Sequence, residues 1–270
     1  MTAAESRFPS LGPLPWRGAT KDSAIFGPGV VDDLVRGVDD HRGSSTNDYW
    51  RRLEPTPAAI GCVPYFSDRD VANALGKLGA CCIVVDKRQQ TDRAVRILDN
   101  IGTPISSAYL DGFEEISLPD ERGRPHVIHP YGGMPDPVLL GPVRVAGWSR
   151  NESNRLLPQL HAKLLILGVT TYYENDEDFS GDIQRFHPHR VWLGSANWTH
   201  NARQHAEFGV WSTDADLMKH TYEYLLRLIE ISEYLGSLTV GPTPELVPAE
   251  WDHEAFWEYV AEHSDEPDDD

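Results

Sequence analysis

The sequence predicts an α/β domain built on a mixed or parallel central sheet. Three observations carry this. Two strand-to-helix units follow one another between 58 and 102, three further strand-like runs lie between 159 and 213, and a long amphipathic helix comes after them. At 270 residues, 40% hydrophobic and 24% charged, the chain can bury a sizeable core.

In chain order, residues 1–23 are rich in Pro and Gly and read as an irregular N-terminal segment. "AIFGPGVVDDLVRGVDDH" reads as a short helix followed by a polar stretch. The two glycines of "FGPGV" lack the full spacing of a phosphate-binding loop and read as a plain turn. "AAIGCVPYFSD" is an apolar run ending in a helix-capping pair, and "DRDVANALGKLG" has apolar residues at helical spacing up to Gly79. "ACCIVVD" (80–86) reads as a buried strand, and "TDRAVRILDNIG" as a second helix. From 101 to 150 Pro and Gly leave room only for short strands. "QLHAKLLILG", "HRVWLGSAN" and "HAEFGVWS" supply three strands, and "DADLMKHTYEYLLRLIEISEYL" the clearest helix. The division expected is an irregular segment over 1–23, a catalytic domain over 24–240 with an insertion loop at 169–190, and a C-terminal amphipathic helix with an acidic tail over 241–270. The aromatic residues Trp251, Phe256, Trp257 and Tyr259 of that helix are expected to dock on the core or on another subunit.

Bulk properties exclude several classes. No segment has the roughly 18 uncharged apolar residues of a membrane-spanning helix. The first residues lack the basic start and apolar core of a secretion signal. Cys62, Cys81 and Cys82 sit in apolar runs rather than at paired spacings, so a disulfide framework is not indicated and a reducing, cytoplasmic setting fits best. The net charge of −18 is largely a terminal property. Residues 245–270 hold 11 acids and no Lys or Arg, leaving 31 acids against 24 bases elsewhere. That argues against a broad electropositive nucleic-acid surface, though not against a local basic cleft.

The chemistry concentrates in two words, "LHAKLLILG" and "LGSANWT". In an extended chain His161 and Lys163 leave the same face. Gly194, Ser195, Ala196 and Asn197 follow where the next strand turns, and Glu207 comes ten residues after Asn197. Such a set suits a phosphodiester. An imidazole can attack phosphorus and divide one hard displacement into two easier ones. A second, protonated imidazole can serve the leaving oxygen and later deprotonate water. Lys163, Ser195 and Asn197 can meet the charge of the five-coordinate transition state. A carboxylate such as Glu207 can orient His161 through its far ring nitrogen. No metal or other cofactor is required by this set.

His-x-Lys, Gly-Ser-x-Asn and a downstream acid resemble the HKD motif of the phospholipase D superfamily, with the match concentrated in residues 156–213. The resemblance implies an αβα sandwich with a mixed central sheet flanked by helices. It also implies His161, Lys163, Ser195, Asn197 and Glu207 as catalytic residues, with Lys163, Asn197 and Trp198 toward the substrate, Trp198 as a base-stacking candidate. Only one His-x-Lys is present, as in the one-motif bacterial nucleases of that superfamily, which complete one active site across a homodimer axis. The expected function is therefore a metal-independent nuclease acting on DNA or RNA through a phosphohistidine. Such domains occur in prokaryotic antiviral defence, and a separate protein partner could supply target recognition. The alternatives are a phospholipase or phosphatidyl transferase, and a non-catalytic subunit of the same fold that binds nucleic acid or protein.

The chain departs from that pattern in two places. The motif's Asp falls at Gly168, and the long connection after it, with Tyr172, Tyr173 and an acidic cluster, suggests a surface insertion or a lid.

Overall fold

The computed structural model describes residues 14–17, 22–43, 55–147, 160–173, 183–237 and 244–263. One nine-stranded sheet organises them. Its strands are β1 (Leu14–Arg17), β2 (Ser23–Gly27), β3 (Thr56–Val63), β4 (Ala80–Asp86), β5 (Val143–Ala146), β6 (Leu164–Tyr173), β7 (Ile183–Gly194), β8 (Glu207–Ser212) and β9 (Glu233–Tyr234). They lie in the order β1-β2-β8-β7-β6-β3-β4-β5-β9. The β3–β4 and β4–β5 pairs are parallel and the rest antiparallel, so the sheet is mixed.

Helices cover both faces. On one lie α1 (Val30–Gly43), α2 (Arg69–Leu75) and α3 (Arg93–Ile101). They bury Val30, Leu34, Val71, Leu75 and Leu98 against Val63, Ile83, Leu165, Leu167, Trp192 and Trp211. At Gly37 a Cβ would come within 2.2 Å of the Trp211 ring, so glycine is what lets α1 approach the sheet. On the other face α4 (Ala215–Glu230), capped by Asp214, packs Tyr222, Leu225 and Ile229 on Ile60, Ile166, Phe186 and Val191. The architecture is the expected α/β sandwich with a mixed central sheet. β4 shows the reason most plainly: all seven of its residues are buried, as a strand covered on both faces requires.

Several expectations change. The segment 1–23 is not wholly irregular, because Leu14–Arg17 pairs with Ser23–Gly27 and extends the sheet. Ala24–Gly27 is strand rather than helix, and the helix starts only after the Gly27–Gly29 turn, where both glycines take positive φ (94° and 91°). Much of the supposed insertion is strand: Val169–Tyr173 pairs with Ile183–His187 in a continuous hairpin arm. The β-branched run Val169–Thr171 followed by Tyr172 and Tyr173 favours extended chain. The segment 174–182 lies outside the described residues, and with it the acidic part of the suggested lid. The helix expected to run to Gly79 stops at Leu75 with Gly76 as its cap. The C-terminal helix α5 (His253–His263) buries none of its residues, so it is not docked on the core. It rests on the 126–134 segment, where Tyr131 meets Tyr259 edge-on and bonds Glu262. The acidic tail, 264–270, lies outside the described residues.

Candidate active site

The site forms where β6 begins and β7 ends. Leu164 faces Leu193 across the pair, and the Gly194 amide donates to the Lys163 carbonyl at 3.3 Å. The two sequence words are thus brought side by side. His161 and Lys163 precede β6 rather than lie within it, and they differ in burial. His161 is exposed, whereas Lys163 is 8% exposed. Lys163 Nζ folds back and donates to the His161 carbonyl at 3.0 Å. The pair thus lies just before the strand rather than on it, because strand pairing starts one residue after Lys163.

Among the described residues Lys163 has no carboxylate within ion-pairing distance. Burial pulls its pKa below that of a free lysine, with the Glu207 charge pulling the other way. A buried cation with one neutral partner is costly to a fold, and an anionic ligand is the natural complement.

Ser195 and Asn197 sit in the turn after β7. The Ser195 amide donates to the Phe208 carbonyl (3.0 Å), the Phe208 amide donates to Ser195 Oγ (2.9 Å), and the Ser195 hydroxyl donates to Glu207 Oε2. Glu207 therefore orients Ser195. The expected bond from Glu207 to the His161 ring is absent among the described residues, because the carboxylate is engaged one strand away. Asn197 is half-buried, with its Oδ1 buried and without a hydrogen-bond partner, so the fold has not used that group.

Trp198 is fully buried, edge-on to Phe66 and Trp192 at ring-centre distances of 5.5 and 6.4 Å. It is part of the core and offers no face to a base, which corrects its assignment to the substrate. Its backbone is the useful part: Trp198 N donates to the Tyr65 carbonyl at 3.1 Å, and its carbonyl accepts from Ser67 and Asp68, both at 2.9 Å.

Gly168 lies at a β-bulge, where the register shifts after Leu167. A Cβ there would come within 2.3 Å of the His187 carbonyl and 2.7 Å of the Phe186 ring, and its own carbonyl bonds His41 Nε2 at 2.7 Å. The position has no room for the motif's Asp. The three thiols are inert: burial pushes Cys62 and Cys82 up to about 12 and Cys81 higher still. Among the described residues no three His, Cys, Asp or Glu are grouped to hold a metal ion, and no helix is long and apolar enough to cross a membrane.

One neighbour of the site has no local signature in the sequence. Arg203 bonds Asp68, Asp70 and Asp32. The capping pair "SD" at 67–68 was visible in sequence, but nothing local linked it to an arginine 135 residues away.

No family model matches the sequence, and no curated protein matches it. Among solved structures the chain is similar to NucT from Helicobacter pylori, at 14% identity and a TM-score of 0.45, over 79% of this chain and 98% of that one. It is also similar to a phospholipase D family member, Nuc from Salmonella typhimurium, at 16% identity and 0.38, over 76% and 93%. A third similarity is to polyphosphate kinase from Porphyromonas gingivalis, at 13% identity and 0.39, over 81% of this chain and 27% of that one.

Proposed function

We propose that the chain is a metal-independent phosphodiesterase, a nuclease acting on DNA or RNA, whose site is completed across a homodimer. The observation that carries this is an exposed His161 beside a buried Lys163 that, among the described residues, pairs with no carboxylate, next to the Ser195–Asn197 turn. In this reading the His161 ring attacks phosphorus and the bond to the leaving oxygen breaks, leaving a phosphohistidine. The partner's His161, protonated, gives its proton to that oxygen and then takes one from water, which displaces the histidine. Lys163 and Asn197 bind the non-bridging oxygens and stabilise the charge that grows on them, and Glu207 holds Ser195 in place.

A second copy has a surface to use. On the face opposite α1, Phe26 and Phe208 are cross-strand partners and are 47% and 43% exposed. Trp16 on β1 and Tyr224 on α4 are 53% and 45% exposed. The exposed Phe26–Phe208 pair adjoins Glu207 along its strand, and an exposed aromatic pair there favours a subunit contact over open solvent. The absence of a membrane-spanning helix among the described residues accords with a nucleic-acid substrate and a cytoplasmic location.

The test is cleavage of labelled DNA and RNA by the full chain in excess chelator, beside His161→Ala, with mass measured by sedimentation. Cleavage lost by about 10⁴-fold in the variant, from a dimer, is expected. Equal rates in the two proteins, or a monomer at full activity, would overturn the reading.

A further inference from the structure

The turn that carries Ser195 and Asn197 is fastened at two points beyond the strands. The first is the Trp198 backbone on Tyr65–Asp68. The second is Arg203. Its Nε and Nη2 donate to the two oxygens of Asp68 at 2.8 and 2.9 Å, Nη2 also reaches Asp70 at 2.9 Å, and Nη1 donates to Asp32 on α1. Its carbonyl accepts from the Gly29 amide at 2.9 Å, in the turn that starts α1. Asp68 is 2% exposed and caps α2 through the Asp70 and Val71 amides.

We propose that Arg203 is a positioning residue for the phosphodiesterase site, clamping the 195–206 segment to α1 and α2 so that Ser195 and Asn197 stay in register with Lys163. The proposal rests on the functional reading above for its consequence, though not for its geometry. The electrostatics make the clamp sharp. One guanidinium separates three carboxylates, and a forked bond to a buried acid is strong and directional. Asp68 is held below the usual carboxylate range by Arg203 and the helix amides, against the effect of its own burial. Without Arg203, Asp32, Asp68 and Asp70 face one another, with Arg69 and His200 the other charged or titratable groups lining the cleft. Their mutual repulsion should then loosen the segment.

The experiment compares the full-length wild type with Arg203→Met, Arg203→Lys and Arg203→Met/Asp70→Asn. One readout is amide hydrogen exchange over 65–71 and 195–206. The other is kcat and KM on bis(p-nitrophenyl) phosphate from pH 5 to 8. The clamp predicts faster exchange at Ser67, Asp68 and Trp198 in Arg203→Met. It also predicts a kcat lowered by about 10- to 100-fold with KM within about threefold. Asp70→Asn should narrow the deficit, and Arg203→Lys should fall between. Unchanged exchange in those segments, or a kcat deficit indifferent to Asp70→Asn, overturns it. If Arg203→Met does not fold, Arg203→Lys decides by the same two readouts. A wild type inert on every phosphodiester counts against the functional reading, while the exchange data still decide whether the clamp exists.

Discussion

Two buried lysines flank the central sheet, and the fold treats them differently. Lys87, just past β4, meets Glu233 of β9 at 2.7 Å, and both side chains are almost fully enclosed (8% and 1% exposed). Lys163, just before β6, is equally enclosed at 8%, yet its ammonium meets a backbone carbonyl and no carboxylate among the described residues. The first pair satisfies itself and joins two strands on the far side of the sheet. The second leaves a charge waiting, beside an exposed histidine and a turn with an unused amide oxygen. A paired buried cation serves the fold, whereas an unpaired one is a cost that a bound anion can offset.

That contrast can be broken from either side. The largest effect on stability is expected at the satisfied pair. Lys87→Met takes the countercharge from the buried Glu233 carboxylate, which keeps its Ser237 hydrogen bond, and should cost about 3–5 kcal/mol in a denaturant titration. The rate constant of the folded fraction should stay near that of the wild type. A loss below about 1 kcal/mol would mean the pair is not the fastening described.

Lys163→Met should do the reverse. Removing a buried charge without a carboxylate should leave stability unchanged or raised, while kcat/KM on a phosphodiester falls by about 10²- to 10³-fold. The pH dependence follows from the depressed pKa. The ammonium loses its proton at lower pH than a free lysine, so kcat/KM should decline as pH rises through that point. Lys163→Arg keeps the charge and should remove that alkaline decline even if it slows the reaction. A decline that persists unaltered in Lys163→Arg would assign it to another group.

The smallest effect concerns Gly168. Restoring the Asp of the motif pattern should not restore anything, because its Cβ has the His187 carbonyl and Phe186 ring in its way. Gly168→Asp should cost about 1–3 kcal/mol, read as a lower melting temperature, with no gain in rate. A faster and equally stable variant would show that the bulge adapts and that the missing carboxylate had mattered.

The legibility of the sequence tracks the range of the interactions involved. β4 and α4 could be read directly, because an unbroken apolar run and a helical stripe each report their own burial. His161, Lys163, Ser195 and Asn197 could be found because their spacing is local, and β6–β7 pairing brings them together. What failed was longer in range or finer in geometry. Glu207 was rightly placed near the site, but its partner, Ser195 rather than His161, depends on how β7 and β8 meet. Trp198 follows Asn197 in sequence yet turns inward onto Phe66, which no local pattern reveals. The hairpin arms past Gly168 were taken for a loop because neither carries the alternating pattern of a half-buried strand, and only their pairing shows them to be strands. The partners of Arg203 were not legible because its carboxylates come from α1 and the start of α2.

The central claim is that the His161 imidazole bonds to phosphorus during turnover. It is tested most directly by quenching the full chain in alkali during a single turnover of a ³²P-labelled oligonucleotide, in chelator, and mapping the retained label by mass spectrometry. The account predicts a labelled oligonucleotide fragment joined through its phosphate to the peptide that carries His161, and none on that peptide from His161→Ala. Efficient cleavage with no label on His161 at any time point would contradict it.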